Sequence, residues 1–259
     1  MQATTDPAMK ERIKSLRQTH YDQITMDRQA YTVRRNRAKA NPQRYTSLII
    51  DGMDQKKTYI PHLTGSVPKE FSSNELLKTH VTGVICHAMQ RRYCYLDVLQ
   101  YPHDSNMVMN VLLKTLWKES VNGHLPPILY LQADNTCREN KNRYLLAFLE
   151  LFVRLGICHE TNLSFLSVGH THEDVDQMFS VIAGTLRKEE ALTLDAMLQK
   201  LIGGQFLNGL FDIRAWLEPH IRNISGHSKI RNFCFRKTED GCSLFYRKSS
   251  SGTWRQISY

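Results

Sequence analysis

The segment ILYLQADNTCRENKNRYLLAFLELFVRLGICHETNLSFLSV, residues 128–168, decides the fold class. Residues 128–133 form a short apolar run that ends at an acid, which is typical of a buried strand. Residues 141–155 repeat apolar side chains at helical spacing and end at Gly156, a frequent helix C-cap. Residues 163–168 form a second apolar run of strand length. Strands that alternate with helices indicate an α/β fold, in which a mixed sheet is covered on both faces.

The same alternation continues on both sides of this segment. Before it, strands are predicted at residues 45–50, 58–63, 81–87 and 93–99, followed by a helix at about 104–121. After it, helices are predicted at residues 172–186, 194–202 and 213–221, followed by a β-hairpin of residues 230–237 and 243–248. Pro61 weakens the second strand or places it at a sheet edge, because proline has no N–H to donate. The last two early strands read as one hairpin.

Three segments follow from this pattern. Residues 1–44 form a basic helical arm, which the pair Asn41-Pro42 is expected to end. Residues 45–190 form the α/β core, and residues 191–259 form an extension with helices and a basic β-hairpin. Binding residues in such sheets gather where strands end, so the core is the place to look for a site.

The composition favours a folded, intracellular protein. The 259 residues are 41% hydrophobic, which is enough for a sizeable core. No apolar run reaches the roughly 18–20 residues that span a bilayer, and the first residues do not resemble a secretory signal. The six cysteines form no CxxC pair, so we expect reduced thiols rather than disulfides or a zinc framework.

Positive charge is concentrated at the two ends of the chain. Residues 1–45 contain ten Lys or Arg against four acids, and residues 221–259 contain eight against two. Residues 46–220 contain sixteen against nineteen, so a mildly acidic centre lies between basic ends. Basic ends can attract a polyanion and an acidic centre can recruit cations, although a solubilising surface has the same composition.

Acids stand at the ends of two predicted strands and at the start of a helix. Asp51 follows the strand at 45–50, Asp134 follows the strand at 128–133, and Glu173, Asp174 and Asp176 begin the helix at 172–186. Two hard divalent cations that catalyse phosphodiester chemistry need such oxygen ligands held close together. The sequence therefore predicts a two-metal Mg²⁺ or Mn²⁺ site at Asp51, Asp134 and one acid of the helix.

Helical geometry ranks the three acids of the helix. Asp176 borders the apolar stripe that faces the core, whereas Glu173 points nearly opposite, towards solvent. Asp174 borders the other edge of the stripe, and it also fits a capping box with Thr171. We therefore expect Asp176 to be the third ligand, with Asp174 second and Glu173 last.

Each acid also has a purely structural explanation. Asp51 precedes Gly52, which is a common turn sequence, and Asp134-Asn135 can form an Asx turn or begin a helix cap. Acids in the first turn of a helix are favoured by its dipole. Only the combination of the three positions, in this order of elements, favours catalysis.

A competing motif overlaps the helix start. His170, His172 and Asp174 match the HxHxD part of a dinuclear zinc hydrolase site, and imidazole suits zinc. That signature continues with a histidine, where this chain has Val175. His170 and His172 could equally make hydrogen bonds at the turn, and with Glu173 they remain secondary catalytic candidates.

Polar and basic residues directly follow two of the acids and are candidates for holding phosphate. A solvated loop is the alternative explanation for them. They are Lys56 and Lys57 after Asp51, and Asn135, Arg138, Asn140, Lys141, Asn142 and Arg143 after Asp134.

Three ordered motifs carry a resemblance to a known class of proteins. They are DGMDQ at residues 51–55, QADN with ENKN at residues 132–142, and GHTHEDVD at residues 169–176. Over about residues 40–190 the chain resembles an uncharacterised, transposon-derived family with an integrase-type, ribonuclease-H-like core. The last motif of that family places an aspartate seven positions after its glycine, which corresponds to Asp176.

The resemblance implies a fold and a reaction. The fold is a five-stranded mixed sheet flanked by helices, with acids on the first strand, the fourth strand and a late helix. Such cores cut or join nucleic-acid backbones with Mg²⁺ or Mn²⁺, using water or a 3′-hydroxyl as the nucleophile. Residues 1–44 contain no zinc finger or convincing helix-turn-helix, which suggests a truncated or domesticated copy.

Three functions are therefore carried forward. The first is a transposase- or integrase-like polynucleotidyl transferase or nuclease that acts on DNA, with RNA as a possible substrate. The second is a nucleic-acid-binding module on the same fold without catalysis, and the third is the zinc hydrolase. We expect no membrane partner, allow for a homo-oligomer, and expect a location in the nucleus or cytoplasm.

Overall fold

The computed structural model of the chain describes residues 6–65, 75–120, 124–165, 174–221, 229–239 and 241–257. Its α-helices are α1 (Pro7–Ala40), α2 (Ser105–Glu119), α3 (Arg143–Arg154), α4 (Asp174–Leu186), α5 (Leu194–Lys200) and α6 (Ile213–Leu217). Its strands are β1 (Tyr45–Gly52), β2 (His80–Cys86), β3 (Arg91–Asp97), β4 (Ile128–Ala133), β5 (Glu160–Phe165), β6 (Gly204–Phe206), β7 (Asn232–Thr238), β8 (Gly241–Arg247) and β9 (Arg255–Ile257).

Local sequence signals set most helix boundaries. Asp104 caps α2 by accepting a hydrogen bond from the amide of Asn106, and Asn142 caps α3 in the same way. Gly156, just past α3, has φ of +71°, which only glycine adopts without strain. Asn41 ends α1 directly before Pro42, as predicted.

Within the described residues the strands form one mixed sheet in the order β6-β3-β2-β1-β4-β5-β7-β8-β9. Strands β1, β4 and β5 are mutually parallel, and β6 is parallel to β3. The pairs β1–β2, β2–β3, β5–β7, β7–β8 and β8–β9 are antiparallel. The expected α/β class with a mixed sheet is confirmed.

Helices cover both faces of the sheet. Helices α2, α3 and α6 pack on the face that carries Leu48 and Ile50 of β1. Helices α4 and α5, with Tyr31 of α1, pack on the face that carries Ile49 of β1. Because successive strand side chains alternate between faces, the apolar residues of β1 pack in both cores. None of the described helices combines the length and apolarity needed to cross a membrane.

Two expectations about the strands are corrected. The sheet has nine described strands rather than five, because the segment after residue 190 adds β6 at one edge and β7–β9 at the other. Residues 58–63 do not form a strand; Ile60 and His62 make only isolated bridges, to Leu77 and Ala191. Pro61, between them, cannot donate to a ladder.

Candidate metal centre

Two of the predicted acids lie at the same edge of the sheet. Strands β1 and β4 run parallel with Ile49 beside Gln132. Asp51 and Asp134 each follow two residues later, and both line one small cavity. Parallel neighbours end at the same edge, so the two carboxylates approach one another without any unusual backbone.

Helix α4 brings the third acid to this edge. Gly83 of β2 is the cross-strand partner of Asp51, and a Cβ atom at Gly83 would lie 2.6 Å from both Met178 Cε and Phe179 Cε1 of α4. The missing side chain therefore lets α4 approach the sheet beside Asp51. Asp176, one turn before Phe179 and partly buried, acts on Asp51 electrostatically.

Burial and the acids at this edge raise the pKa of Asp51 and of Glu139. Burial raises the pKa of Asp51, and the negative charges of Asp134, Asp176 and Glu139 raise it further, to about 7. A hydrogen bond from the Gly52 amide to Asp51 Oδ1, at 2.8 Å, opposes this shift only in part. Burial and Asp134 also raise the pKa of Glu139. These four acids, the carboxylate group, are a candidate functional site, because perturbed pKa values cluster at such sites.

Side chains of the following loop hold Asp134 in place. Its Oδ1 accepts hydrogen bonds from the amide of Thr136, at 3.2 Å, and from the side-chain amide of Asn140. Its Oδ2 accepts from the hydroxyl of Thr136. These bonds orient the carboxylate.

Two buried oxygens near Asp134 have no partner. Among the described residues, Asn140 Oδ1 and Asn135 Oδ1 are buried without a hydrogen bond. Asn140 lines a small cleft together with Asp51 and Glu139. A buried acceptor without a donor costs about 1–3 kcal/mol, so Asn140 Oδ1 is a candidate ligand for a cation in this cleft.

Asp174 lies in a different environment from Asp176. Its carboxylate accepts hydrogen bonds from Tyr31 Oη and Arg35 Nη1 of α1, and it lies 3.1 Å from His87 Nε2. Burial alone would raise the pKa of Asp174, but His87 and Tyr31 outweigh it and lower the pKa. Asp174 therefore joins α4 to α1 and to the residue that follows β2.

The candidate phosphate-binding residues divide into two groups. Lys56, Lys57 and Arg138 are exposed. The others have contacts within the protein. Asn135 and Asn140 lie beside Asp134, Lys141 is buried with its Nζ 5.2 Å from the centre of the Phe165 ring, Asn142 caps α3, and Arg143 pairs with Glu218 at 2.8 Å.

His170, His172 and Glu173 lie outside the described residues, so the competing zinc motif stays a prediction. A different histidine cluster, absent from the sequence predictions, lies beside Asp51. His80 and His103 flank the buried carboxylate of Asp97. The pairing of His80 with Asp97 could have been predicted from the sequence. A hairpin that turns at residues 88–89 places residue 80 opposite residue 97.

The two histidines determine the ionisation of Asp97. Burial would raise its pKa, but the contacts with His103 and His80 prevail and lower the pKa to about 2. Both histidines line the cleft that also contains Asp51 and Glu139. The sheet edge therefore carries an oxygen-rich group and a histidine-rich group side by side.

Most of the chain, including part of this edge, matches a known protein family. Residues 69–252 match the model of a domain of unknown function, DUF7869. The chain belongs to the DUF7869 family. No curated protein matches it. The DUF7869 match includes Asp134, Asp176 and the histidine cluster, whereas Asp51 precedes the matched residues.

Proposed function

We propose that the chain is a metal-dependent nuclease or polynucleotidyl transferase of the transposase or integrase type, acting on DNA. The observation that carries this proposal is the electrostatic interaction of Asp51 with Asp134, Asp176 and Glu139 at one edge of a mixed sheet. Few reactions require several carboxylates in mutual repulsion, and two-metal phosphodiester chemistry is one of them.

The order of strands supports a ribonuclease-H-like core for this proposal. The run β3-β2-β1-β4-β5 is a five-stranded mixed sheet within the larger one. Asp51 lies on its first strand, Asp134 follows its fourth strand, and Asp176 lies on the helix after its fifth. Strands β6 and β7–β9 would then be additions at the two edges.

The residues present fit Mg²⁺ or Mn²⁺. Both cations take oxygen ligands, and the group offers carboxylates and the unpaired Asn140 Oδ1. Bound there, the cations would activate the attacking oxygen and stabilise the leaving one. Thr136 and Asn140 would keep Asp134 oriented.

Exposed cations beside the acids are suited to hold the nucleic-acid backbone. Lys56 and Lys57 follow Asp51 directly, and Arg138 lies in the loop after Asp134. The basic arm and the basic carboxyl-terminal hairpin would extend this contact to phosphates further from the reacting bond. Affinity would then fall steeply with salt.

A second candidate is a nucleic-acid-binding module without catalysis. The observation in its favour is that Asp134 already accepts three hydrogen bonds from its own loop. A carboxylate satisfied in this way does not require a cation. In this case the chain would bind DNA with the same salt dependence but leave it uncut.

The deciding experiment compares Asp134→Asn with the wild type on supercoiled DNA, linear duplex DNA and RNA, with Mg²⁺ or Mn²⁺. The amide preserves the shape of Asp134 and removes its charge. Exposed Asp195→Asn is the matched control. Cleavage by the wild type and the control, reduced at least about 100-fold in Asp134→Asn, supports catalysis. Cleavage that survives in Asp134→Asn refutes the assignment, and binding without cleavage by the wild type favours the second candidate.

A further inference from the structure

Side chains from two strands and a loop meet beside the carboxylate group. His80 begins β2, its cross-strand partner Asp97 ends β3, and His103 lies just before α2. One nitrogen of each histidine and one oxygen of Asp97 lie within 4.8 Å of one another. The Asp97 side chain is fully buried, and those of His80 and His103 are 13% and 17% exposed. The three residues form an enclosed set of two nitrogens and one carboxylate.

The separations between the histidine nitrogens and Asp97 are compatible with a shared metal ion. His80 Nδ1 lies 3.3 Å from Asp97 Oδ2, and His103 Nε2 lies 3.4 Å from Asp97 Oδ1. Hydrogen bonds from N–H to oxygen are usually about 2.7–3.2 Å long. Two ligand atoms of a tetrahedral zinc ion lie about 3.3–3.4 Å apart, because each is about 2.0–2.1 Å from the metal. Both nitrogen–oxygen separations are close to this length, and each histidine contacts a different oxygen of Asp97.

The surrounding backbone fixes the three side chains in this arrangement. The amide of Leu99 donates to Asp97 Oδ1 at 2.8 Å, and Leu99 has φ of +59°, an unfavourable value for a non-glycine residue. This turn directs the chain back towards His103. On the other side, a Cβ atom at Gly52 would lie 2.9 Å from His80 Nε2, so the glycine leaves room for the ring. Such orientation of ligands by neighbouring groups is typical of metal sites.

We propose that His80, Asp97 and His103 bind a Zn²⁺ ion. Imidazole nitrogen is a preferred ligand of zinc, whereas magnesium takes oxygen, so this site and the carboxylate group select different ions. Three protein ligands leave the fourth position of a tetrahedral ion for water or another oxygen. His80 and His103 line the cleft shared by Asp51 and Glu139, so that position lies next to the proposed nuclease site. The zinc site does not depend on the proposed function.

Metal content and the spectrum of a cobalt derivative test the site. The full chain is stripped with a chelator, loaded with Zn²⁺ or Co²⁺, and desalted before metal analysis. The wild type is expected to retain one Zn²⁺ per chain and, with Co²⁺, to give the strong visible absorption of a four-coordinate ion. His80→Gln and His103→Gln are expected to weaken zinc binding at least about tenfold. Exposed His159→Gln is the matched control and should bind as the wild type does.

Glutamine distinguishes a metal site from a hydrogen-bonded cluster, because its amide can still donate to Asp97 but binds zinc poorly. Wild-type protein that retains no zinc overturns the proposal, as does zinc retained equally by both glutamine variants. Cobalt with only the weak spectrum of a six-coordinate ion also overturns it, even if a variant fails to fold. Asp134→Asn should retain zinc fully, so failure of the nuclease proposal and failure of the zinc site are separately visible.

Discussion

His87 Nε2 lies 3.1 Å from Asp174 Oδ2, and this pair joins the start of α4 to the residue that follows β2. Tyr31 and Arg35 of α1 contact the same carboxylate. Asp176, two residues further along α4, instead acts on Asp51. One turn of helix therefore carries two aspartates with different surroundings. Substituting each of them should separate an effect on stability from an effect on the proposed catalysis.

We expect Asp174→Asn to lower the free energy of unfolding by about 1.5–3 kcal/mol, because hydrogen bonds to a charged, partly buried carboxylate are lost. The pKa of Asp174 is lowered in the folded protein, so its contribution is complete above the ordinary value of 3.8 and is lost as the pH falls through the folded value. Urea unfolding of wild type and variant at pH 7 and at pH 3 measures both effects. An unchanged midpoint at pH 7 would contradict the role of Asp174 as a tether.

A second substitution in α4, Asp176→Asn, tests the proposed third metal ligand. If the proposed function is correct, it should reduce Mg²⁺-dependent cleavage at least about 100-fold, because it removes a proposed metal ligand. Rates are compared at saturating DNA for Asp176→Asn and Asp174→Asn at a temperature where both are folded. The reverse result, with activity lost only in Asp174→Asn, would make Asp174 the third ligand.

Asp51→Asn should stabilise the metal-free protein at alkaline pH. Its folded pKa of about 7 lies above the ordinary value of 3.8, so ionising Asp51 destabilises the fold as the pH rises through 7. Allowing for partial exposure, the gain at pH 8 is on the order of 1–2 kcal/mol. Thermal unfolding from pH 5 to pH 8 in chelator should show a falling Tm for the wild type and a flatter profile for Asp51→Asn. If the Tm profiles of the wild type and Asp51→Asn coincide, Asp51 is not repelled by the neighbouring acids.

Replacement of both Lys56 and Lys57 by glutamine should weaken DNA binding and lower its salt dependence. Each phosphate contact contributes about 0.9 to the slope of log affinity against log salt, so a reduction of up to about 2 is expected. Arg143→Gln is the control, because Arg143 already pairs with Glu218. Fluorescence anisotropy at several salt concentrations gives the slopes. Equal slopes in the double variant and the wild type would place the phosphates elsewhere.

Gly83→Ala should destabilise the packing of α4 against β2 by about 1–3 kcal/mol, because the new methyl group overlaps Met178 and Phe179. A displaced α4 should also weaken cleavage, since Asp176 moves with it. Gly184→Ala, within the same helix, meets only Arg187 Nη2 at 3.7 Å and should be neutral or stabilising by up to about 1 kcal/mol. Similar unfolding midpoints for the two variants would disprove the close approach at Gly83.

Much of the fold could be predicted from local patterns. The end of α1 at Asn41, the cap at Asp104 and the turn at Gly156 all depend on residues next to them in the chain. The cap at Asn142 was not predicted, because the helix was expected to begin at Lys141. The short strands β6 and β9 were missed, since three residues carry no recognisable period. They form because an existing sheet edge offers unpaired backbone groups.

The candidate site could be predicted only in outline. Asp51 and Asp134 were found because each ends an apolar strand, and the parallel register then brings them together. The ranking of Glu173 as the last of the three acids stays a prediction, because Glu173 lies outside the described residues. The placement of Asp174 against His87 and Tyr31 could not be foreseen, because these residues are separated by 87 and 143 positions.

The sequence by itself determined the α/β class, the helix caps and the acids at strand ends, since these depend on side-chain periodicity and on neighbours within a few residues. Only the tertiary structure decided which charged groups face one another. It brought Asp51, Asp134, Asp176 and Glu139 into mutual repulsion and gathered His80, Asp97 and His103 around one point. Electrostatic interactions depend on distance in space and on burial, and neither quantity is a property of the chain before its strands have paired and its helices have packed.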